Sequence, residues 1–196
     1  MGTSFILASH SPRRRELLAA AGFEFETVSA GVVEKFDPHL TLRELTVFNA
    51  LRKGTSVARL HPESVVLAAD TLVALEGEVI GKPRDLEDAV QILRRLSGRT
   101  HEVCSAVSIS HLAAARSACF QEISRVRFRR LGRKEIDHYF TKVNPLDKAG
   151  AYAAQGHGAE IIARIDGSFT NVVGLPMEET TSALRKFGVE PRTIPN

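Results

Sequence analysis

Little in this chain could staple it, anchor it or tie it to one of the common catalytic signatures. Of its 196 residues only two are cysteine. Cys104 and Cys119 both lie in apolar stretches. That pattern argues against a disulfide framework and predicts reduced core thiols in a cytoplasmic protein. No apolar run approaches the ~20 residues of a membrane-spanning helix, so no membrane partner is expected. The opening Met-Gly-Thr-Ser-Phe-Ile-Leu-Ala-Ser lacks the basic start and the length of a secretory leader, and reads as a first strand. Internal repeats, low-complexity segments and charged tails are also missing, which points to one domain over residues 1–196. A core of this size buries roughly 70% of the surface of the unfolded chain and needs no staple.

Three catalytic signatures are missing as well. Gly-Lys occurs only as Gly81-Lys82, followed by Pro83 and without the upstream glycine spacing of a P-loop. The histidines are scattered, so no zinc spacing is visible. No Gly-x-Ser-x-Gly elbow supports serine-hydrolase wiring. A net charge of +3, with arginines spread over several segments, suits either a nucleic-acid groove or a pocket for a phosphorylated small molecule.

What is present is an alternation of strand and helix patterns. Residues 4–9, 24–29, 64–75, 101–111, 117–130 and 159–165 read as strands. Gly77 and Val79-Ile80 suggest a hairpin return after the third. Residues 12–21, 42–60, 85–96, 133–141 and 177–187 have helical periodicity or caps. The order predicts an α/β fold with a mixed central sheet and helices on both flanks.

The first and last of these helices differ in their charges. The last has Pro176 before its first turn, Glu178 and Glu179 in it, and Arg185 and Lys186 in the last turn, as the helix dipole favours. The first has Ser11 as a candidate N-cap and Pro12 at N1, but Arg13, Arg14 and Arg15 fill its first turn. Each cation there costs a few tenths to about 1 kcal/mol. Free N–H groups, a positive dipole end and guanidinium groups make an anion site suited to polyphosphate. Solvated surface arginines are the other reading.

Asp70 sits inside the apolar run Val65–Leu75, where an unpaired carboxylate is expensive. It needs a cation, a metal or hydrogen bonds, and serves either a catalytic role or a structural one at a bulge or turn. Glu34 lies in a polar loop and alone reads as a solvated charge; with Asp70 it could hold Mg²⁺ through oxygen ligands. Lys82 stands on a turn stiffened by Pro83. Lys53 lies on a helix and alone reads as a solvent-facing lysine.

Several segments together resemble the Maf family of nucleotide pyrophosphatases. They are Leu7-Ala-Ser-His-Ser-Pro-Arg-Arg-Arg-Glu-Leu-Leu18, Ala69-Asp-Thr-Leu-Val73, Gly81-Lys-Pro83, Leu96-Ser-Gly-Arg-Thr-His-Glu-Val103, Asp147-Lys-Ala-Gly-Ala-Tyr152, Gln155-Gly156 and Asn171-Val-Val-Gly-Leu-Pro176. Each is weak alone; in this order and spacing they are specific. The resemblance implies an elongated mixed α/β fold in two lobes, similar to inosine-triphosphate pyrophosphatases, with the site in the cleft between them. It implies hydrolysis of nucleoside triphosphates to the monophosphate and pyrophosphate with a divalent cation such as Mg²⁺ or Mn²⁺. It implies that Ser9, Arg13 and Arg14 bind phosphates, that Glu34 and Asp70 form the acidic, metal-holding pair with Asp70 as proton acceptor, and that Lys53 and Lys82 neutralise the polyphosphate. A homodimer is compatible with it.

The Asp147-Lys148 start and Gln155 are similar to the branch acting on dTTP and UTP, whose selectivity positions correspond to Arg13, Thr71 and Gln155. The branch acting on 7-methyl-GTP differs in this segment. Gln155 offers a donor and an acceptor that can pair with the imide edge of uracil or thymine. The chain departs from the family pattern at Tyr152-Ala-Ala-Gln-Gly156, where Tyr-Gly-Ile-Gln-Gly is usual, at Val103-Cys-Ser-Ala-Val107, where Val-x-Thr-Gly-Val is usual, and at Phe169-Thr170, where Tyr-Ser is common. A rival function class is a non-enzymatic regulator of septum formation that binds nucleic acid or a protein partner. Against it, no aromatic interleaving or nucleic-acid module is visible.

Overall fold

A computed structural model describes residues 4–192. In chain order its elements are β1 (Phe5–Leu7), α1 (Pro12–Ala20), β2 (Glu26–Thr27), α2 (Leu42–Ala58), β3 (Val65–Leu75), β4 (Glu78–Ile80), α3 (Leu86–Leu96), β5 (Thr100–His111), β6 (Arg116–Phe128), α4 (Arg133–Phe140), a 3₁₀ turn (Ala149–Ala151), α5 (Gly158–Ile161), β7 (Ile162–Asp166), α6 (Phe169–Val173) and α7 (Met177–Lys186). The seven strands form one mixed sheet in the order β2-β1-β3-β5-β6-β7, with β4 paired to β3. β1 runs parallel to β2 and β3, and the other pairings are antiparallel.

The helices form where local chemistry and an apolar stripe agree. Thr41 and Glu44 make a reciprocal capping box at the start of α2, which satisfies two of its orphan N–H groups. Asp85 caps α3, whose first turn carries Glu87 and Asp88 and whose last turn carries Arg94 and Arg95. α7 repeats that charge order. In α1 the Ser11 cap is present, but no acid stands in the first turn.

Strand alternation sorts the core onto two faces. Leu7, Leu67, Ala69, Val107 and Ile109 pack with Leu18 of α1 and Leu184 of α7. Their neighbours Ile6, Ala8, Val66 and Ala68 pack with Val57 and Ala58 of α2 on the opposite face. Further along β3 and β5, Val73, Leu75 and Val103 join Leu93 and Leu96 of α3 and Ile136 and Tyr139 of α4. The long strands thus join the core at one end, where it covers both faces, to the core at the other. Fully buried side chains such as Leu18, Leu67 and Leu93 each contribute about 1.5–3 kcal/mol.

Two expectations need correction. Residues 159–161 of the expected strand 159–165 belong to the helical turn Gly158–Ile161, and the strand is Ile162–Asp166. Glu160 in that turn is held by Lys142 from a distant segment and by His157 at the cap of the turn itself, contacts that override the strand pattern. The expected strand 24–29 shrinks to Glu26–Thr27, both exposed. α6 was not expected at all: it is a single turn capped by Ser168, too short to show a period.

Between Leu67 and Val73, β3 is paired only on its β5 side. β1 reaches Leu67 at most, and β4 begins its pairing at Val73. Asp70, Thr71 and Leu72 therefore sit at a gap in the sheet edge, and this gap is where the chain opens a cavity.

Candidate active site

The cavity has a volume of about 680 Å³, and the sequence motifs converge on it: Ser9–Arg14, Asp70–Val73, Gly81-Lys82, Asp147–Ala149, Tyr152 and Val172–Gly174 all line it. Six cationic side chains, Arg13, Arg14, Lys35, Lys53, Lys82 and Lys148, face three carboxylates, Glu34, Asp70 and Asp147, around it.

One wall is built on the start of α1. Arg14 and Leu18, one turn apart, are the buried residues of that helix. Leu18 goes into the core and Arg14 lines the cavity. The Arg14 guanidinium donates from Nε to the Gly174 carbonyl at 2.8 Å, from Nη2 to Thr71 Oγ1 at 2.9 Å and from Nη1 to Ser9 Oγ at 3.4 Å. All three partners are neutral. Burial pulls its pKa below the usual arginine value, while the charges of Asp70 and Glu34 pull it back up. Gly174 has φ +134°, and a Cβ there would stand 3.6 Å from both Arg14 Nε and Thr71 Oγ1. A side-chain-bearing residue would be strained in that conformation.

Behind Thr71 runs a line of hydroxyls and one amide. Thr71 Oγ1 lies 2.8 Å from Ser105 Oγ, which donates to the Asn171 carbonyl at 2.9 Å. The Asn171 side chain donates to the Val103 carbonyl at 3.1 Å and to Ser124 Oγ at 2.9 Å. Ser105, Ser124 and Asn171 have no exposed surface, and together they hold α6 and Gly174 against the sheet.

The opposite wall is a set of ion pairs. Asp70 points to the α2 face of the sheet, where Lys53 Nζ meets its Oδ1 at 2.6 Å. The same Nζ holds Glu34 Oε1 at 2.7 Å, and Lys82 Nζ holds Glu34 Oε2 at 3.2 Å. The Lys53 side chain is only 12% exposed, so the solvent-facing reading of that helix lysine fails. Burial works against the Glu34 carboxylate, but the charge and hydrogen bond of Lys53, then of Lys82, outweigh it and bring the pKa from 4.5 to about 2. The loop bearing Glu34 is tied to α2 by Asn49, whose side chain binds the Lys35 backbone on both its N–H and C=O, by Arg52 on the Val33 carbonyl and by Ser56 on the Ala30 carbonyl.

Asp70 Oδ2 is buried with no hydrogen-bond partner. A buried carboxylate oxygen left unmatched is costly and points to an absent guest. Among the described residues, no cluster of three or more His, Cys, Asp or Glu side chains could hold a metal alone. Two carboxylates that need phosphate oxygens to complete a shell do fit the way Mg²⁺ is bound in nucleotide sites.

The third side belongs to residues 147–155. Arg13 Nη1 reaches across to Asp147 Oδ2 at 3.4 Å, and Lys148 binds both Asp147 and the Asn144 carbonyl. Gly150 and Ala151 both take positive φ, at 73° and 61°. A Cβ on Gly150 would meet Val73 Cγ2 at 3.1 Å, so glycine fits this close turn. Tyr152 is then anchored on His101, whose Nε2 lies 2.8 Å from its hydroxyl. Burial lowers the His101 pKa to about 4, so the imidazole is neutral at pH 7. Tyr139 Oη brackets Ala153, accepting from its N–H and donating to its carbonyl.

Of the candidates named from sequence, Ser9, Arg13, Arg14, Glu34, Lys53, Asp70, Thr71 and Lys82 share the cavity. Gln155 is half-buried just beyond Ala154 and is not among the lining residues. Sequence reasoning missed Ser105, Ser124, Asn49 and Tyr139. A hydroxyl on a strand or an amide on a helix carries no signal of the partner it will find across the fold.

A family model described as "Maf-like protein" matches residues 4–187. The dTTP/UTP pyrophosphatase of Bacillus pumilus (strain SAFR-032) is 41% identical over 186 residues, covering 95% of this chain and 97% of that protein. The dTTP/UTP pyrophosphatase of Akkermansia muciniphila is 46% identical over 184 residues, with 93% and 96% covered. That of Anaeromyxobacter dehalogenans (strain 2CP-1) is 46% identical over 190 residues, with 96% of each covered. Among solved structures, the Staphylococcus aureus Ham1 protein is similar at a TM-score of 0.41 and 16% identity, over 64% of this chain and 72% of that one. The motifs that line the cavity are thus carried by a chain that the family model matches over residues 4–187 and the three pyrophosphatases match over 93% to 96% of its length, and it belongs to the Maf family.

Proposed function

We propose that this protein hydrolyses nucleoside triphosphates, dTTP and UTP foremost, to the nucleoside monophosphate and pyrophosphate. One observation carries the reading. A buried arginine with only neutral partners lies across a single cavity from a buried aspartate with a free carboxylate oxygen. The first attracts a phosphate and the second can receive a proton.

Arg14, with Ser9 and Arg13, binds the phosphate chain at the start of α1, where the dipole adds to the guanidinium charge. Asp70 Oδ2 accepts a hydrogen bond from a water molecule and takes its proton as the water attacks the α-phosphorus. The bond from that phosphorus to the bridging oxygen breaks, and pyrophosphate leaves with the electron pair. Lys53 and Lys82, released from Glu34 as phosphate oxygens replace its carboxylate, stabilise the charge that develops. Glu34 and Asp70 would hold a divalent cation with the help of substrate oxygens; when bound, it supplies Lewis-acid polarisation of the phosphates. Most of the rate enhancement in this scheme is positioning and electrostatics.

Base choice is assigned to Arg13, Thr71 and Gln155. The relatives' names support the pyrimidine reading, and the cavity-lining run Tyr152–Ala154 leads directly to Gln155. The test is pyrophosphate release by the purified protein from a panel of triphosphates that includes 7-methyl-GTP, with Mg²⁺ or Mn²⁺. UTP and dTTP are expected to show the highest kcat/KM. Preference for 7-methyl-GTP would overturn the base assignment, and no release from any of them would overturn the activity.

A further inference from the structure

We infer that Ser105 is a positioning residue for Arg14 and acts through Thr71. The inference rests on the reading that Arg14 binds the triphosphate. Ser105 lies directly opposite Thr71 in the β3–β5 register, is fully buried and does not line the cavity. Any effect it has on substrate must pass through its neighbours.

The direction of each hydrogen bond follows from proton counting. A serine hydroxyl has one proton, and a carbonyl oxygen can only accept. The Ser105 proton goes to the Asn171 carbonyl at 2.9 Å. Its 2.8 Å contact with Thr71 must then be donated by Thr71. Thr71 is left with lone pairs alone for Arg14 Nη2 at 2.9 Å. The line therefore runs from Arg14 to Thr71 to Ser105 to the Asn171 carbonyl, each member donating to the next, an order in which the bonds strengthen one another. A planar guanidinium is fixed by two anchors, here Thr71 Oγ1 and the Gly174 carbonyl, and the remaining N–H groups are aimed by that choice.

Without the Ser105 hydroxyl the Thr71 proton has only the Gly174 carbonyl, 3.3 Å away, or the cavity itself. In either orientation the Thr71 hydroxyl is no longer fixed by a short bond, so the lone pairs that receive Arg14 are no longer held in place. Arg14 loses a fixed anchor, while its other contacts survive.

The test compares Ser105→Ala, Ser105→Thr and Ser105→Val with the wild type in three measurements: pyrophosphate release from UTP, calorimetric binding of inorganic tripolyphosphate and thermal unfolding. Arg14 grips phosphate in both ground and transition states, so KM should rise in Ser105→Ala with kcat nearly unchanged. The expected rise is about tenfold, the effect of weakening one hydrogen bond to a charged group. Ser105→Thr should return KM to within about twofold of the wild type, while the equally bulky Ser105→Val should not. A fall in kcat at constant KM with a lowered Tm would mean a loss of folded protein and would overturn the role, as would equal behaviour of the Thr and Val variants. If the wild type releases no pyrophosphate, the proposed activity has failed; the inference is then read from tripolyphosphate affinity, which must still fall in Ser105→Ala and recover in Ser105→Thr.

Discussion

The two walls of the cavity handle buried charge in opposite ways. Arg14 is surrounded by hydroxyls and a carbonyl and has no carboxylate in hydrogen-bond contact. Its positive charge is solvated but not cancelled. Across the gap, Glu34, Lys53, Asp70 and Lys82 form a connected set of two acids and two bases and largely cancel one another. A neutral shell around a cation keeps it available to an incoming anion at no exchange cost. A self-paired network must trade partners before it can act, and in return its groups are held in place until then. Under the proposed function, binding belongs to the first wall and chemistry to the second.

The largest expected effect tests that division. Asp70→Asn should lower turnover by about 10²–10⁴-fold, the usual contribution of a general base, while tripolyphosphate binding measured by calorimetry stays near the wild-type value. Loss of both together would place Asp70 in the binding wall. Next in size is Arg14→Lys. Lysine cannot reproduce a guanidinium held at two points, and affinity for tripolyphosphate should fall by about 10–100-fold, the range of one or two hydrogen bonds to charged groups. Unchanged affinity would remove Arg14 from the binding wall.

A smaller effect separates the walls by pH. The Glu34 pKa in the folded protein is about 2 against an ordinary 4.5. A depressed acid contributes stability above its unfolded pKa and loses it as pH falls through the folded one. The stabilising share of Glu34 is therefore complete above about pH 4.5 and vanishes toward pH 2. In Glu34→Gln the fall in Tm across this window should be shallower than in the wild type; parallel curves would mean that the ion pairs of Glu34 carry no net stability. Smallest of all is Asp147→Asn. The Arg13–Asp147 pair is 3.4 Å long with side chains 26% and 51% exposed, and its loss should change unfolding free energy by no more than about 0.5 kcal/mol in denaturant titration. A larger change would make this contact a structural tie between the walls.

The same contrast separates what the sequence disclosed from what it did not. α3 and α7 were legible because caps and end charges are local, written within a few residues of where they act. The arginine-rich start of α1 was legible as an anomaly, yet three neighbouring arginines give no hint which one turns inward. Only Arg14 does, because it shares a face with Leu18. Lys53 reads as a surface lysine because its partner Asp70 lies on another element, and only the sheet brings α2 across it. Asp70 stood out because an acid in an apolar strand is a local contradiction. Ser105 and Asn171 presented none, since a serine on a strand and an asparagine near a turn are ordinary. Conflicts within a segment show in sequence; agreements between distant segments do not.

The gap in the edge of β3 also bears on how the cavity can open. The core clusters at one end and those at the other are not separate bodies joined by a linker. β3 and β5 stay in register from Val66 to Ala74, and β5 and β6 from Thr100 to His111, so both ends are fastened to the same continuous spar. Hinged closure needs a few loop residues able to absorb large backbone rotations, and a ladder in full register has none to spare. Admission and release then fall to the peripheral segments that rest on the spar: the stretch 29–36, pinned to α2 by Asn49, Arg52 and Ser56, and the stretch 147–154. The cavity is a mould set on one continuous ladder, with two separately fastened rims. Its width depends less on the angle between two jaws than on how tightly two strips of backbone are fastened down.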